Sequence, residues 1–408
     1  MNRTDSKIKF VGLHAHSVAG SIFDAIGYPQ DHMDFAYQNG CDALALTDHG
    51  NMNGLAYQVL HAKKMQADGK DFKPIFGCEA YFIPSIEEWQ EEYTKAMEDK
   101  KRARAVKKDA ASGATVEDEG ASKKTQDILR RRRHLVLLAQ NQTGLNNLFK
   151  LVSESYKAEN FYRYPRIDYA LLKKYNEGII ASSACLGGVY AGNYWENREE
   201  GDKAVLDAMR ETTARMVDIF GDRWYAEIQW NNIKEQHELN QYVIQVAEEF
   251  GVGLVTTADS HYPNPDAWKD RELYKRLGWL GKGRPSWADE ESELPEGVEE
   301  IGYELYPKNG DQIWKSYKDY SKACGFQYED EVVLRSIEET HRIAHQRIER
   351  FLPDNTVRLP EFVVPAGFTA TQALVNYALE GLKDKGFHKN QKYIQRLREE
   401  LNLSLIHI

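Results

Sequence analysis

Cysteine is scarce in this chain of 408 residues, and the little there is does not pair by motif. Cys41, Cys78, Cys185 and Cys324 include no Cys-x-x-Cys spacing. That argues against a disulfide scaffold and for a reducing, cytoplasmic setting. No run of about 18 apolar residues is present, which excludes a helical membrane span. The N-terminus, MNRTDSKIKF, lacks the apolar stretch of a secretory signal. Positive charge is in deficit: 53 Lys and Arg stand against 63 Asp and Glu, a net charge of −10. A protein that coats nucleic acid by electrostatics alone is therefore excluded, whereas a local basic path or a metal-bridged phosphate site is not. Internal repeats are also absent. What is present, 42% apolar and 28% charged residues, is ordinary for a globular protein, and the length suits two domains.

Short β-rich runs at 8–13, 43–47, 74–82, 135–139, 178–183, 224–229 and 253–258 alternate with helical patterns such as 53–68, 144–157, 201–220 and 234–250. Most of the strands are nearly all apolar, as parallel strands buried on both faces are. Seven strands separated by helices predict an α/β barrel over a doubly wound sheet. Residues 85–133 break the rhythm and read as a charged insertion: a helix over 87–108, a small polar stretch, then the basic run Arg130, Arg131, Arg132 and Arg133. That run is a solvated helix end or a contact to a nucleic-acid backbone. Residues 1–285 are expected to form the main domain. Residues 286–408 are expected to form a linker and a smaller, mainly helical segment, with amphipathic patterns at 329–350, 369–385 and 390–401. The terminal LSLIHI does not read as the finish of a domain, and a truncated or chimeric frame is expected there.

Ligand-type residues gather where strands end. His14 and His16 leave the first strand as His-x-His; by itself this spacing is a weak sign of a metal pair. Thr47-Asp48-His49-Gly50-Asn51 follows the second strand, at the C-terminal end where α/β barrels keep their chemistry, although Asp48 or Asn51 could simply cap a helix. Glu79 sits within an apolar strand and needs a partner, either a cation or a basic side chain. Asp259-Ser260-His261 follows the last strand. Ligand-type residues at several independent strand ends make coincidence a minor reading.

LHAHS, TDHGN, GCEAY, HLVLLAQN, SACLGG and ADSHY, in that order, resemble the motifs of the PHP (polymerase and histidinol phosphatase) superfamily. The likeness covers roughly 8–285 and extends to GLNNLFKLVSESY, FYRYPRID and GIIASSACLGG, which carry no obvious chemistry. That breadth resembles the PHP domain at the N-terminus of bacterial-type replicative DNA polymerase III alpha subunits. Weaker similarity through YELYPKNGDQIW and RLPEFVVPAG resembles the segment leading into the palm of those polymerases.

The resemblance implies a distorted (β/α)7 barrel with a three-metal site. Its ligands would be His14, His16, Asp24, His49, Glu79, His134, Cys185, Asp259 and His261. His14, His16, Glu79 and Asp259 would hold one ion, Glu79, His134 and Cys185 a second, and Asp24, His49 and His261 a third. Several relatives have lost some of these ligands, whereas this chain keeps a ligand-capable residue at each position. Zinc or manganese is favoured and magnesium is possible, with the Cys185 thiolate pointing to zinc at its ion. The activity implied is hydrolysis of a phosphate ester by metal-activated water with no protein nucleophile, most specifically 3′ to 5′ exonuclease proofreading at the 3′ end of DNA. Partners would be DNA and other replisome subunits, reached through the longer polymerase.

Two other readings stay open: a non-catalytic docking module of the polymerase, and a phosphatase for small monoesters such as histidinol phosphate. Polymerase activity itself is expected to be absent, because no Gly-rich palm motif or paired catalytic aspartates occur. One feature fits poorly: His134 begins its strand, whereas barrel ligands sit at strand C-termini. Asp48 is expected to orient a ligand histidine, and Cys41 and Cys78 to be core residues. His32, His61 and His237 are expected to be surface or core histidines; His341 and His345, i and i+4 on one helix face, could form a metal pair, but outside the matched domain a plain helix face is expected.

Overall fold

The computed structural model describes residues 3–22, 24–109, 131–280, 303–354, 356 and 362–406. Arg130, most of the polar stretch of the insertion and the 285–302 loop expected from the sequence lie outside them. Met1–Pro353 group as one compact unit and Asp354–Ile408 as another.

The first unit runs α1 (Pro29–Gln38), β1 (Ala43–Leu46), α2 (Leu55–Ala67), β2 (Lys73–Phe82), α3 (Ile86–Asp109), β3 (Arg133–Ala139), α4 (Gln142–Ser155), β4 (Phe161–Tyr162), β5 (Tyr164–Ile167), α5 (Tyr169–Tyr175) and β6 (Ile179–Ser182). It continues with α6 (Val189–Asn197), α7 (Asp202–Phe220), β7 (Trp224–Gln229), α8 (Lys234–Phe250), β8 (Gly253–Thr257), α9 (Trp268–Leu280), α10 (Gly310–Cys324) and α11 (Asp330–Arg342), which a π-turn extends over Ile343–Arg347. The second unit carries α12 (Ala370–Asp384) and α13 (Gln391–Ile406). Among the described residues no helix is long and apolar enough to cross a membrane.

The sheet curls into a seven-membered ring. β1, β2, β3, β6, β7 and β8 follow one another by backbone pairing. The segment after Phe10 closes the circuit through parallel bridges, Gly12 with Leu44 on one side and Ala15 with Ser260 on the other. That segment makes bridges only. Leu13 faces the core while His14 and His16 face the site, so the strict alternation of a strand breaks between Leu13 and His14. The short β4–β5 pair, not foreseen from sequence, hangs from the end of β2.

Most neighbours in the ring pair parallel, as the apolar strands suggest, but β3 runs antiparallel to both β2 and β6. The chain leaves β2 and enters β3 at the same end of the ring, so the 85–133 excursion acts as a long hairpin connection rather than a crossover. The start of β3 therefore lies beside the C-terminal ends of the other strands. This removes the difficulty posed by His134.

Period-two alternation fills the ring. Val11, Leu13, Ala43, Ala45, Ile75, Val136, Leu138, Ile180, Tyr225 and Val255 form an apolar interior. Residues of the same parity further along several strands are polar: Thr47, Glu79, His134, Ser182, Glu227 and Thr257. One inward line of side chains thus runs from a greasy floor to a polar mouth. The floor is plugged by Ile343, Ala344 and Ile348 of the π-turn region. Buried Lys73, at the start of β2, donates to the carbonyls of Ala344 and Ile348, as a basic group at a helix C-terminus does. The compact unit accordingly runs past the boundary expected at 285. Thr256 of β8 shares a hydrogen bond of 2.7 Å with Ser336 of α11, and Asp311 of α10 accepts from the backbone N–H groups of Lys7 and Ile8.

Candidate metal centre

Backbone pairing at the mouth brings the motifs together two by two. The His16 N–H donates to the Ser260 carbonyl (2.7 Å) and the Ser260 N–H to that of His14 (3.1 Å), which couples LHAHS to ADSHY. The Gly50 N–H donates to the Glu79 carbonyl at 2.8 Å, coupling TDHGN to GCEAY. The His134 N–H donates to the Gly187 carbonyl at 2.9 Å, coupling the start of β3 to SACLGG. Two non-glycine residues here hold left-handed backbone, Ala184 (φ 61°) beside Cys185 and Asp259 (φ 49°) itself. Such conformations cost energy and persist where surrounding structure enforces them.

All nine residues singled out above meet at this end of the ring. His14 Nε2 lies 3.1 Å from Glu79 Oε1 and 3.1 Å from Asp259 Oδ1, and His16 Nε2 is also 3.1 Å from Asp259 Oδ1. Glu79 is the hub: its Oε2 lies 2.5 Å from His49 Nδ1 and 3.1 Å from His134 Nδ1, and its Oε1 is 4.0 Å from Cys185 Sγ. Cys185 Sγ is 3.8 Å from His134 Nδ1. Asp24 Oδ2 lies between His49 Nε2 (3.0 Å) and His261 Nε2 (3.2 Å). His49 thus spans the neighbourhoods of Glu79 and Asp24, where the sequence had placed it with Asp24 and His261 alone. Three sets have one donor atom each within 4.8 Å of the others: His14, His16 and Asp259; His49, Glu79 and His134; and His16, His49 and His261.

The chemistry of the donor set fits a cation. His14 Nε2, His16 Nε2, His49 Nδ1, Glu79 Oε2 and Asp259 Oδ1 are buried, point at one another and make no hydrogen bond. Buried polar atoms left so are costly unless something else satisfies them. Burial alone would lower His14, but Asp259, Glu227 and Glu79 outweigh it and hold the imidazole well above its ordinary pKa. His49 is raised to about 10 because Glu79 and Asp24 outweigh burial in the same way. Burial and the neighbouring His49 and His261 hold His16 well below its usual range. Burial pushes Glu79 and Asp259 upward, yet the surrounding imidazoles, His134 foremost for Glu79 and His14 for Asp259, keep both well down. Burial raises the Cys185 thiol. The carboxylates therefore demand positive charge. A divalent cation supplies it and leaves imidazole nitrogens free to ligate.

A supporting set holds these donors in place, and sequence reasoning found only part of it. Glu227 Oε1 accepts from His14 Nδ1 at 2.8 Å, and the carboxylate is itself held by Ser182 (2.6 Å) and Thr257 (2.6 Å). This carboxylate inside an apolar strand gave the same signal as Glu79 and was missed. Arg271, also missed, is buried and donates to the Asp24 carboxylate at 2.8 Å and to its carbonyl at 2.6 Å. Asp48 touches no ligand imidazole. It accepts from Ser17 and from Ser21, and Ser21 Oγ is 3.2 Å from His16 Nδ1, so any orienting effect passes through a serine. Glu227→Gln is expected to weaken metal affinity about 10- to 100-fold, the usual consequence of disturbing a ligand's hydrogen-bond partner, as measured by competition with a chromogenic chelator.

Among its described residues, Arg131–Arg133, the arginine run does not present one basic face. Arg131 pairs with Glu92 at 3.0 Å and Arg133 with Glu196. Arg132 lies 3.8 Å from the Tyr164 ring centre and 5.4 Å from that of Tyr81. Tyr81 in turn lies beside His49 and His134, with ring centres 6.1 Å and 5.5 Å away. Cys41 and Cys78 are buried. His32 is wholly buried and donates to the Ile26 carbonyl, His61 pairs with Asp34, and His237 lies between Tyr328 and the Asn231 carbonyl.

Fold and site together define an α/β barrel with a carboxylate–imidazole–thiol cluster at the mouth of its strands. The chain belongs to the PHP domain family, whose model matches residues 12–231. It is similar to DNA polymerase III subunit alpha of Aquifex aeolicus, 33% identical over 97% of this chain and 30% of that protein. It is also similar to the same subunit of Borreliella burgdorferi, 29% identical over 97% of this chain and 28% of that protein. The chain thus spans about 30% of the length of these curated relatives. A solved amidohydrolase from Chromobacterium violaceum aligns at 13% identity with a TM-score of 0.31, covering 65% of this chain and 96% of its own. That likeness is too distant to bear on fold or chemistry here.

Proposed function

We propose that this chain is the N-terminal part of a replicative DNA polymerase III alpha subunit, and that its barrel hydrolyses phosphodiesters at the 3′ end of a DNA strand with a three-metal site. The observation that carries the reading is the convergence of nine ligand-type side chains on one cluster, in which buried atoms of His14, His16, His49, Glu79 and Asp259 face one another without hydrogen bonds. His14, His16, Glu79 and Asp259 would hold one ion, Glu79, His134 and Cys185 a second, and Asp24, His49 and His261 a third. Zinc suits the thiolate of Cys185, and zinc or manganese suits the two sets of imidazoles and carboxylates, with magnesium possible there. When bound, such ions polarise the phosphoryl group and activate water as the nucleophile.

The protein's own part is orientation. Glu227 holds His14 through Nδ1 and leaves Nε2 facing the centre. Ser21 does the same for His16, and Arg271 fixes Asp24 at the rim. Arg132, packed on Tyr164 beside Tyr81, places a positive charge at the edge of the cluster, where a backbone phosphate would approach. The water oxygen bonds to phosphorus as the bond to the preceding 3′ oxygen breaks. That oxygen takes up a proton, and a nucleoside 5′-monophosphate leaves. No serine or cysteine nucleophile is required.

The test is an assay of the purified chain on 5′-labelled single-stranded DNA with zinc or manganese, alongside a chelator control and a small phosphate monoester. Stepwise shortening from the 3′ end that chelator abolishes is the expected result. A docking module would instead lose thermal stability with chelator and cleave nothing, and a monoesterase would prefer the small substrate.

A further inference from the structure

A second set of ligand-type side chains meets at the floor of the barrel, at the end where β1 begins. Asp42 immediately precedes β1, His341 lies in the last turn of α11, and His345 lies in the π-turn that follows. The i, i+4 spacing of the histidines allows a metal pair, although a plain helix face is the expectation from sequence. The tertiary structure instead brings a carboxylate from the far end of the sequence onto that face. His345 Nε2 is 3.0 Å from Asp42 Oδ1 and His341 Nε2 is 3.6 Å from Asp42 Oδ2, so each imidazole addresses a different oxygen of one carboxylate. The two imidazole rings are 4.3 Å apart.

We propose that Asp42, His341 and His345 form a separate transition-metal site, of the zinc class, that ties the last helix of the first unit to the first strand of the barrel. The geometry supports it. The separation of 3.6 Å is too long for a hydrogen bond. Donors bonded at 2.0–2.1 Å to one tetrahedral ion stand about 3.3 Å apart, a value the two observed separations bracket. The side chains are 28%, 29% and 38% exposed, so water can complete the coordination. The flanking backbone is also held: Ile343, Ala344 and Ile348 are buried in the barrel floor, and Lys73 grips the carbonyls of the latter two. π-turns are rare and recur at functional sites. Two imidazoles with one carboxylate suit zinc, and also cobalt, nickel or copper.

The test titrates the chelator-stripped full chain with zinc, comparing wild type with the double variant His341→Ala/His345→Ala and with Asp42→Asn. The wild type is expected to take up one more equivalent than either variant. It should also gain about 5 °C in Tm, at zinc a hundredfold above Kd, that the variants lack. Crystals of the wild type soaked in zinc should show an anomalous peak among the three side chains, which tests the site even if a variant folds poorly. Equal stoichiometry with an equal zinc-induced shift, or no anomalous peak at this position, overturns the proposal. The mouth cluster is the same in all three proteins, so loss of activity there leaves this result unaffected.

Discussion

Asp259→Asn is expected to reduce metal-dependent release of 3′ nucleotides about 1,000-fold while the far-UV spectrum stays that of the wild type. The carboxylate oxygen Oδ1 lies 3.1 Å from both His14 and His16, so its charge stands at the junction of the cluster. Losing one anionic donor removes several kcal/mol of transition-state charge stabilisation, and about 4 kcal/mol corresponds to three decades in rate. Asparagine is the informative substitution because residue 259 sits at φ 49°, a region asparagine adopts at less cost than alanine. Asp259→Ala and His14→Ala should abolish the same activity. His14→Ala carries an added stability cost, since Glu227 loses a buried partner. Nucleotide release by chromatography and metal content by elemental analysis read the outcome. Variants as active as wild type would remove the cluster from the mechanism.

Gly188→Ala is expected to cost about 3 kcal/mol or more of stability, together with loss of metal at the Cys185 position. A β-carbon there would stand 2.0 Å from the Ser183 carbonyl oxygen and 2.9 Å from that of Cys185, both backbone atoms that cannot swing aside. The Gly188 N–H donates to the Cys185 carbonyl at 2.8 Å, and the neighbouring Gly187 carbonyl receives the His134 N–H. Opening this turn therefore displaces a thiol and an imidazole together. Urea unfolding monitored by tryptophan fluorescence measures the first effect and zinc stoichiometry the second. A wild-type midpoint with wild-type metal content would refute the account. The stretch GIIASSACLGG, chemically mute apart from its cysteine, thus has a geometric purpose.

Much of the candidate site was legible because its residues break local rules. Glu79 stands in an apolar strand, paired histidines follow an apolar run, and polar clusters sit where strands end; each violates the composition of its neighbourhood and so advertises chemistry. Glu227 broke the same rule and was still missed, because its role depends on which imidazole the barrel sets opposite it. Most strand positions were readable from short apolar runs, whereas the β4–β5 pair was not.

By itself the amino-acid sequence determined most of the strands and helices around the ring and marked His14, His16, His49, Glu79, Asp259 and His261 as able to ligate a cation, because both are properties of short segments; Asp24, His134 and Cys185 stood out only through the family resemblance. Tertiary structure alone decided that β3 runs against its neighbours and so carries His134 to the mouth, since alternation looks the same read in either direction. It alone decided that Arg271 braces Asp24 and that Asp42 faces His341 and His345, because those pairs meet only when the ring closes around its apolar interior.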